Sequence, residues 1–323
     1  MKVQPDLSLV IPVFEEEESI RELYEWILRV LDKTQLSAEI IFIDDGSEDQ
    51  SWSVIREISD HDSNVIGLRF TRNFGKSAAL SAGFQQANGR VVVTLDADLQ
   101  DSPEEIPAMY NMIVNEGYHL VSGWKKKRHD PLEKRLPSKF FNWVTRRASG
   151  IKLHDFNCGL KAYDLRVVKS IHVYAEMHRY IPLLAKWAGF KKIGELVVQH
   201  QARKYGTTKF GMKRYVTGFL DLLSVSFVTR FRRSPMHFFG TLGTLSFFGG
   251  FAITVYVIGM KLYNQANQLE VRDAVDQPLF FLALVALIIG VQLFLAGFIA
   301  EMIIQYSPSK KNYSISEEVN GRS

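Results

Sequence analysis

Asp96 and Asp98 stand two residues apart at the end of the apolar run Val91-Val92-Val93-Thr94-Leu95. Such a run suits a strand buried on both faces of a mostly parallel sheet. Acids spaced by two leave an extended chain on the same side. With the Gln100 carbonyl nearby, they offer hard oxygen donors suited to Mg2+ or Mn2+, ions that keep part of their shell for a substrate phosphate. A solvated acidic turn is the plainer alternative. The flanking residues favour a site: Ser102 as N-cap, Pro103 at the first helical position and Glu105 closing a capping box mark a helix start. The acids therefore fall at the C-terminal edge of a sheet, where open α/β sheets bind ligands.

The elements that must position these acids alternate. Strands are predicted at Leu7 to Phe14, Ile40 to Ile43, Val65 to Phe70, His119 to Gly123, Leu160 to Tyr163 and Ile193 to Gln199. Helices are predicted near Ile20 to Leu31, Gln50 to Ser59, Ser77 to Ala87, Lys139 to Ala148 and Ala175 to Ala188. In the first of these, Ile20, Leu23, Tyr24, Ile27, Val30 and Leu31 recur at helical spacing while Arg21, Glu22, Glu25 and Arg29 face away. The second strand also ends in acids, Asp44-Asp45-Gly46-Ser47. Strand and helix in alternation imply a three-layer α/β domain with a mainly parallel sheet.

The 323 residues exceed one ordinary domain. The net charge of +4 is too small to argue for nucleic acid, but its distribution is uneven: Arg203 to Arg233 holds eight Lys or Arg against Asp221 alone. A lone cysteine, Cys158, excludes an internal disulfide and suits a reducing compartment. Met1 to Asp6 leads straight into a strand, so the first domain is expected not to be exported. Residues 236–260 and 278–300 carry no charge and are long enough to span a bilayer. Basic residues flank the pair, which predicts a two-helix transmembrane hairpin with both termini on the cytoplasmic side. The expected division is 1–210 for the α/β domain, 211–235 for interfacial amphipathic helices, 236–304 for two spans joined by an external loop 261–277, and 305–323 for an unstructured cytoplasmic tail. Gly240, Gly243, Gly249 and Gly250 would permit close helix contacts and hint at a homo-oligomer.

Five segments together resemble one family: Ile11-Pro12-Val13-Phe14-Glu15-Glu16, Ile43-Asp44-Asp45-Gly46-Ser47, Arg72-Asn73-Phe74-Gly75-Lys76, Leu95-Asp96-Ala97-Asp98-Leu99-Gln100 and Arg203-Lys204-Tyr205-Gly206-Thr207-Thr208-Lys209. They are similar to family two glycosyltransferases of GT-A fold, in particular the polyprenyl-phosphate sugar transferases, which include dolichol-phosphate mannose synthases and bacterial undecaprenyl-phosphate glucosyltransferases. The resemblance covers residues 7 to about 235 and also matches the two-span C-terminal part. It implies a donor pocket of Pro12, Phe14, Glu16, Ile43, Asp45, Asp96, Ala97, Asp98 and Lys125, with Asp45 holding the nucleoside. It implies a divalent ion on Asp98 and Gln100, with Asp96 as a further ligand or donor contact. Asp155, with Asp96, would stand at the reacting centre. Arg203 and Lys209 match the family's acceptor-phosphate segment, and Arg128 and Arg135 belong to the same basic surroundings.

A lipid monophosphate is already about −1.5 to −2 charged near neutral pH, so it attacks without a strong base and the difficulty becomes joining two anions. A cationic cradle answers that need, and Lys125 to Arg128, Lys134, Arg135, Arg203 and Lys209 supply candidates. The expected reaction is inverting transfer of one sugar from a nucleoside diphosphate sugar, UDP-glucose by resemblance, to polyprenyl phosphate. GDP-mannose or a UDP-aminopentose is the alternative donor. A non-catalytic nucleotide-sugar-binding membrane adaptor and a lipid-sugar flippase subunit are the rivals from other classes.

Overall fold

A computed structural model describes residues 4–126, 142–147, 149–174, 177–201, 204, 235–269, 273, 276–306 and 315–319. Its spine is four parallel strands, β1 (Leu7–Val13), β2 (Ala38–Asp44), β3 (Val65–Phe70) and β4 (Val91–Thr94). Their side chains are buried on both faces, which is why the sequence shows unbroken apolar runs rather than alternation. The crossovers α1 (Ile20–Thr34), α2 (Ser51–His61) and α3 (Lys76–Gln86) cover them. α1 buries Ile20, Leu23, Ile27 and Val30, the stripe its spacing predicts.

The sheet continues through β5 (Leu120–Trp124), β6 (Lys161–Asp164), β7 (Ile193–Val197) and β8 (Ile315–Val319) in the order β7-β5-β6-β4-β1-β2-β3-β8. The chain winds from β1 outward through β2 and β3, then crosses back to place β4 on the other flank of β1. This reversal opens a crevice at the carboxyl ends of β1 and β4. β6 runs antiparallel to both β4 and β5. Its start therefore lies at the edge where β4 ends, and Gly159 arrives beside Asp96.

Several expectations change. The helix after Ser102 opens with a 3-10 turn, Pro103–Glu105, before α4 (Ile106–Val114). Ser102 caps it by accepting from the Glu104 amide, but Glu105 does not close the box; its carboxylate accepts from the Gln199 amide at 3.4 Å instead. An additional helix, α5 (Leu165–Ser170), follows β6 and is capped by Asp164. The helix expected over 175–188 is a 3-10 turn, Met177–Tyr180, followed by α6 (Ile181–Trp187). Residues 315–319, read as part of an unstructured tail, form β8 on the edge of β3. The predicted interfacial helices lie outside the described residues.

Two apolar helices, α7 (Pro235–Ala266) and α8 (Pro278–Tyr306), are long enough to cross a membrane. A Cβ added at Gly243 would come within 2.7 Å of the Gly290 carbonyl, and one at Gly250 within 2.8 Å of the Ala283 carbonyl. These glycines are thus used within the helix pair. Residues 1–222 with 311–323 form one compact unit, and 223–310 form another.

Candidate active site

Three strand ends build the crevice. At the end of β4, Asp96 is partly exposed and its carboxylate takes the Lys76 ammonium in an ion pair. Lys76 is the first residue of α3, so a crossover helix presents its side chain to a strand end twenty residues later in the chain. Beneath Asp96 lies Gly159, where an added Cβ would overlap the Asp96 carboxylate. The Thr94 hydroxyl donates to the Gly159 carbonyl at 2.8 Å and fixes that close approach. The loop then turns sharply at Leu99, a buried residue with φ +60, a left-handed conformation that costs a non-glycine residue energy and recurs at functional sites. The Gln100 amide donates to Asp98 Oδ1 at 3.2 Å.

Ala97 is buried under this loop. Lys125, expected at the donor, pairs with the fully buried Asp101 at 2.6 Å. Burial alone would lower the Lys125 pKa, but Asp101 carries it above the usual lysine range.

On the neighbouring flank, Pro12 of β1 and Ile43 of β2 are register partners. Asp45 follows β2 and is buried; its two oxygens accept from the Phe74 amide at 2.7 Å and the Gly75 amide at 2.9 Å. Burial nevertheless pushes its carboxyl up to about 6. The structure thus gives Asp45 a defined task, anchoring the turn that carries Lys76. Gly46, at φ +72, lies against the Arg72 backbone with no room for a side chain and closes the same junction. Glu16 lies just before α1, where its carbonyl and Oε2 accept from the hydroxyl of the N-cap residue Ser19. Phe14 is partly buried just beyond β1.

Asp155 is buried and precedes β6. Its Oδ1 accepts from the Asn157 amide at 3.0 Å, and its carbonyl accepts from the Ser122 hydroxyl at 3.3 Å. The loop is held from the solvent side by Glu195, which takes both the His154 amide and the His154 ring, while that ring stacks on Trp124 at 4.1 Å. Below the loop the Lys161 ammonium is buried and donates to the Cys158 carbonyl; burial lowers its pKa. Arg128, Lys134, Arg135, Arg203 and Lys209 lie outside the described residues.

Lys76, Gly159, Lys161 and Asp101 are the residues that motif reading left without a role. Only Lys76 carried a signal, as the last residue of the Arg72 to Lys76 segment. The others emerge from strand pairing.

Among the described residues, no three His, Cys, Asp or Glu side chains converge as a protein-only metal cage. Asp96 and Asp98 fit an ion of another kind: two partly exposed carboxylates on one loop leave positions for diphosphate oxygens and water, as Mg2+ and Mn2+ require. The Gln100 backbone carbonyl accepts from the Gln201 amide at 2.9 Å, so its side-chain amide is better placed for ligation.

The chain is similar to known proteins. A dodecaprenyl-phosphate galacturonate synthase from Rhizobium johnstonii is 36% identical over 302 residues, 92% of this chain and 87% of that protein. An undecaprenyl-phosphate 4-deoxy-4-formamido-L-arabinose transferase from Pectobacterium atrosepticum is 35% identical, covering 92% and 88%. The solved structure of glucosyl-3-phosphoglycerate synthase from Mycobacterium tuberculosis in complex with UDP superposes with a TM-score of 0.52 at 21% identity, over 69% of this chain and 80% of that one, which establishes a shared GT-A fold. Residues 8–171, the stretch holding Asp45, Asp96, Asp98 and Asp155, match the model of glycosyl transferase family 2, and the chain belongs to that family.

Proposed function

We propose that the chain transfers one sugar from a UDP-sugar to a polyprenyl phosphate at the cytoplasmic membrane face, with inversion at the anomeric carbon. The observation that carries this reading is the strand-end acid Asp96 with Gly159, four residues after Asp155, packed against its carboxylate, in a chain whose relatives over 92% of its length are named for polyprenyl-phosphate sugar transfer. An acceptor phosphate oxygen forms the new bond to the anomeric carbon as the bond to the nucleoside diphosphate breaks on the opposite face. Asp155 orients the acceptor or sugar. Lys76, released from Asp96 by the donor, faces the diphosphate. Asp96, Asp98 and Gln100 would hold Mg2+ or Mn2+, whose charge stabilises the leaving diphosphate. Arg203, Lys209, Arg128 and Arg135 would receive the acceptor phosphate.

UDP-glucose is the donor expected by resemblance, whereas the relatives are named for galacturonate and formamido-arabinose. A screen of UDP-glucose, UDP-galacturonate and a UDP-aminopentose against undecaprenyl phosphate, with mass readout of the lipid, assigns the sugar. Sugar released only to water would reject the lipid acceptor and favour another class. Asp98→Ala is expected to abolish transfer, and full activity in that variant would refute the metal assignment.

A further inference from the structure

Asp101 has no place in the donor pocket, yet it is fully buried and gathers three separate parts of the chain. It follows the metal loop by one residue. Its Oδ1 holds the Lys125 ammonium, at the end of β5, at 2.6 Å, and lies 3.9 Å from Nδ1 of the buried His200. Burial pushes its carboxyl up, but the His200 ring and the Lys125 ammonium outweigh this and hold it at about 2. Its backbone forms an antiparallel bridge to His200. The Gln201 amide continues that pairing by donating to the Gln100 carbonyl at 2.9 Å. On either side, the Gln199 amide reaches Glu105 at 3.4 Å and the Lys204 ammonium reaches Glu22 at 2.8 Å. The chain leaving β7 is therefore laid along the loop that carries Asp96, Asp98 and Gln100.

We infer that Asp101 is a positioning residue that fixes the acceptor-phosphate segment to the metal loop, so that the two substrates meet in a set register. In the sequence, Arg203, which matches the family's acceptor-phosphate segment, stands between Gln201 and Lys204. The inference rests on the proposed transferase reading. Its logic is electrostatic: the buried carboxylate is the counter-charge for Lys125 and faces His200 Nδ1 at 3.9 Å, and without it the 199–204 stretch loses its tie to a buried charged group.

Asp101→Asn keeps the shape and removes the charge. In full-length protein the variant is expected to raise the KM for undecaprenyl phosphate about tenfold while the KM for the UDP-sugar moves less than about twofold. Asp101→Asn/Lys125→Met removes both members of the pair, and the acceptor KM should stay high. Hydrogen exchange over residues 199–204, read on the same preparations, should quicken while β4 stays protected. Equal shifts for both substrates, recovery of the acceptor KM in the double variant, or unchanged exchange at 199–204 would overturn the proposal. The exchange arm stands even if wild-type protein transfers no sugar to lipid, which would refute the transferase reading alone. Should Asp101→Asn fail to fold, His200→Gln carries the same three readouts.

Discussion

Gly159 is where the site depends on the absence of a side chain. Because a Cβ there would occupy the space of the Asp96 carboxylate, Gly159→Ala should lower transfer about a hundredfold, the scale of a 1 Å misplacement, with little change in melting temperature. Wild-type rates would show that Asp96 has freedom the packing denies. Asp45 gives a pH signature. Its folded pKa of about 6 is raised above the ordinary carboxylate value, so its stabilising contribution is present at low pH and lost as pH rises through about 6. The ionised form is the one that grips the Phe74 and Gly75 amides. UDP binding should therefore strengthen over the same interval in which this contribution to stability fades, and calorimetric titration beside thermal melts would read both. Asp45→Asn should flatten the two curves. The strand-end acids were legible in the sequence because an apolar run ending in carboxylates is a local pattern. The contact of Lys76 with Asp96 was not, since it depends on how α3 crosses the sheet.

At the scale of elements, β6 and β8 show what periodicity misses. A strand of four residues, Lys161–Asp164, reads the same in either direction, and only pairing reveals that it is antiparallel and so brings Gly159 against Asp96. β8 carries Ser316, Glu317 and Glu318, which look like a solvated tail, yet an edge strand needs only one covered face and backbone partners. Deleting residues 311–323 should expose the hydrogen-bonding edge of β3, lower the melting temperature and promote aggregation, as light scattering would show. An unchanged melt would mean that β8 adds nothing to the sheet. In the helix pair, Gly290 approaches the Phe247 amide so closely that Gly290→Leu should separate α7 from α8 at a cost of roughly 1–3 kcal/mol or more. Of the four glycines that suggested self-association, Gly243 and Gly250 are taken up by α8, whereas Gly249 faces open space.

At the scale of the whole molecule, the alternating elements and the two apolar helices were legible, because each rests on a repeated pattern. The registers that bring Asp101 to His200 and Gly159 under Asp96 are long-range and leave no local trace. The connectivity carries one more consequence. The polypeptide leaves the sheet-bearing unit near residue 222 and re-enters it near 311, where β8 joins β3. The helix pair is therefore an insertion within the fold, tethered at both ends, rather than an appendage on its C-terminus. A single cut engineered after Arg233 should not free the N-terminal fragment from membranes, because β8 still links it to the inserted pair. Release should require both the cut and loss of β8.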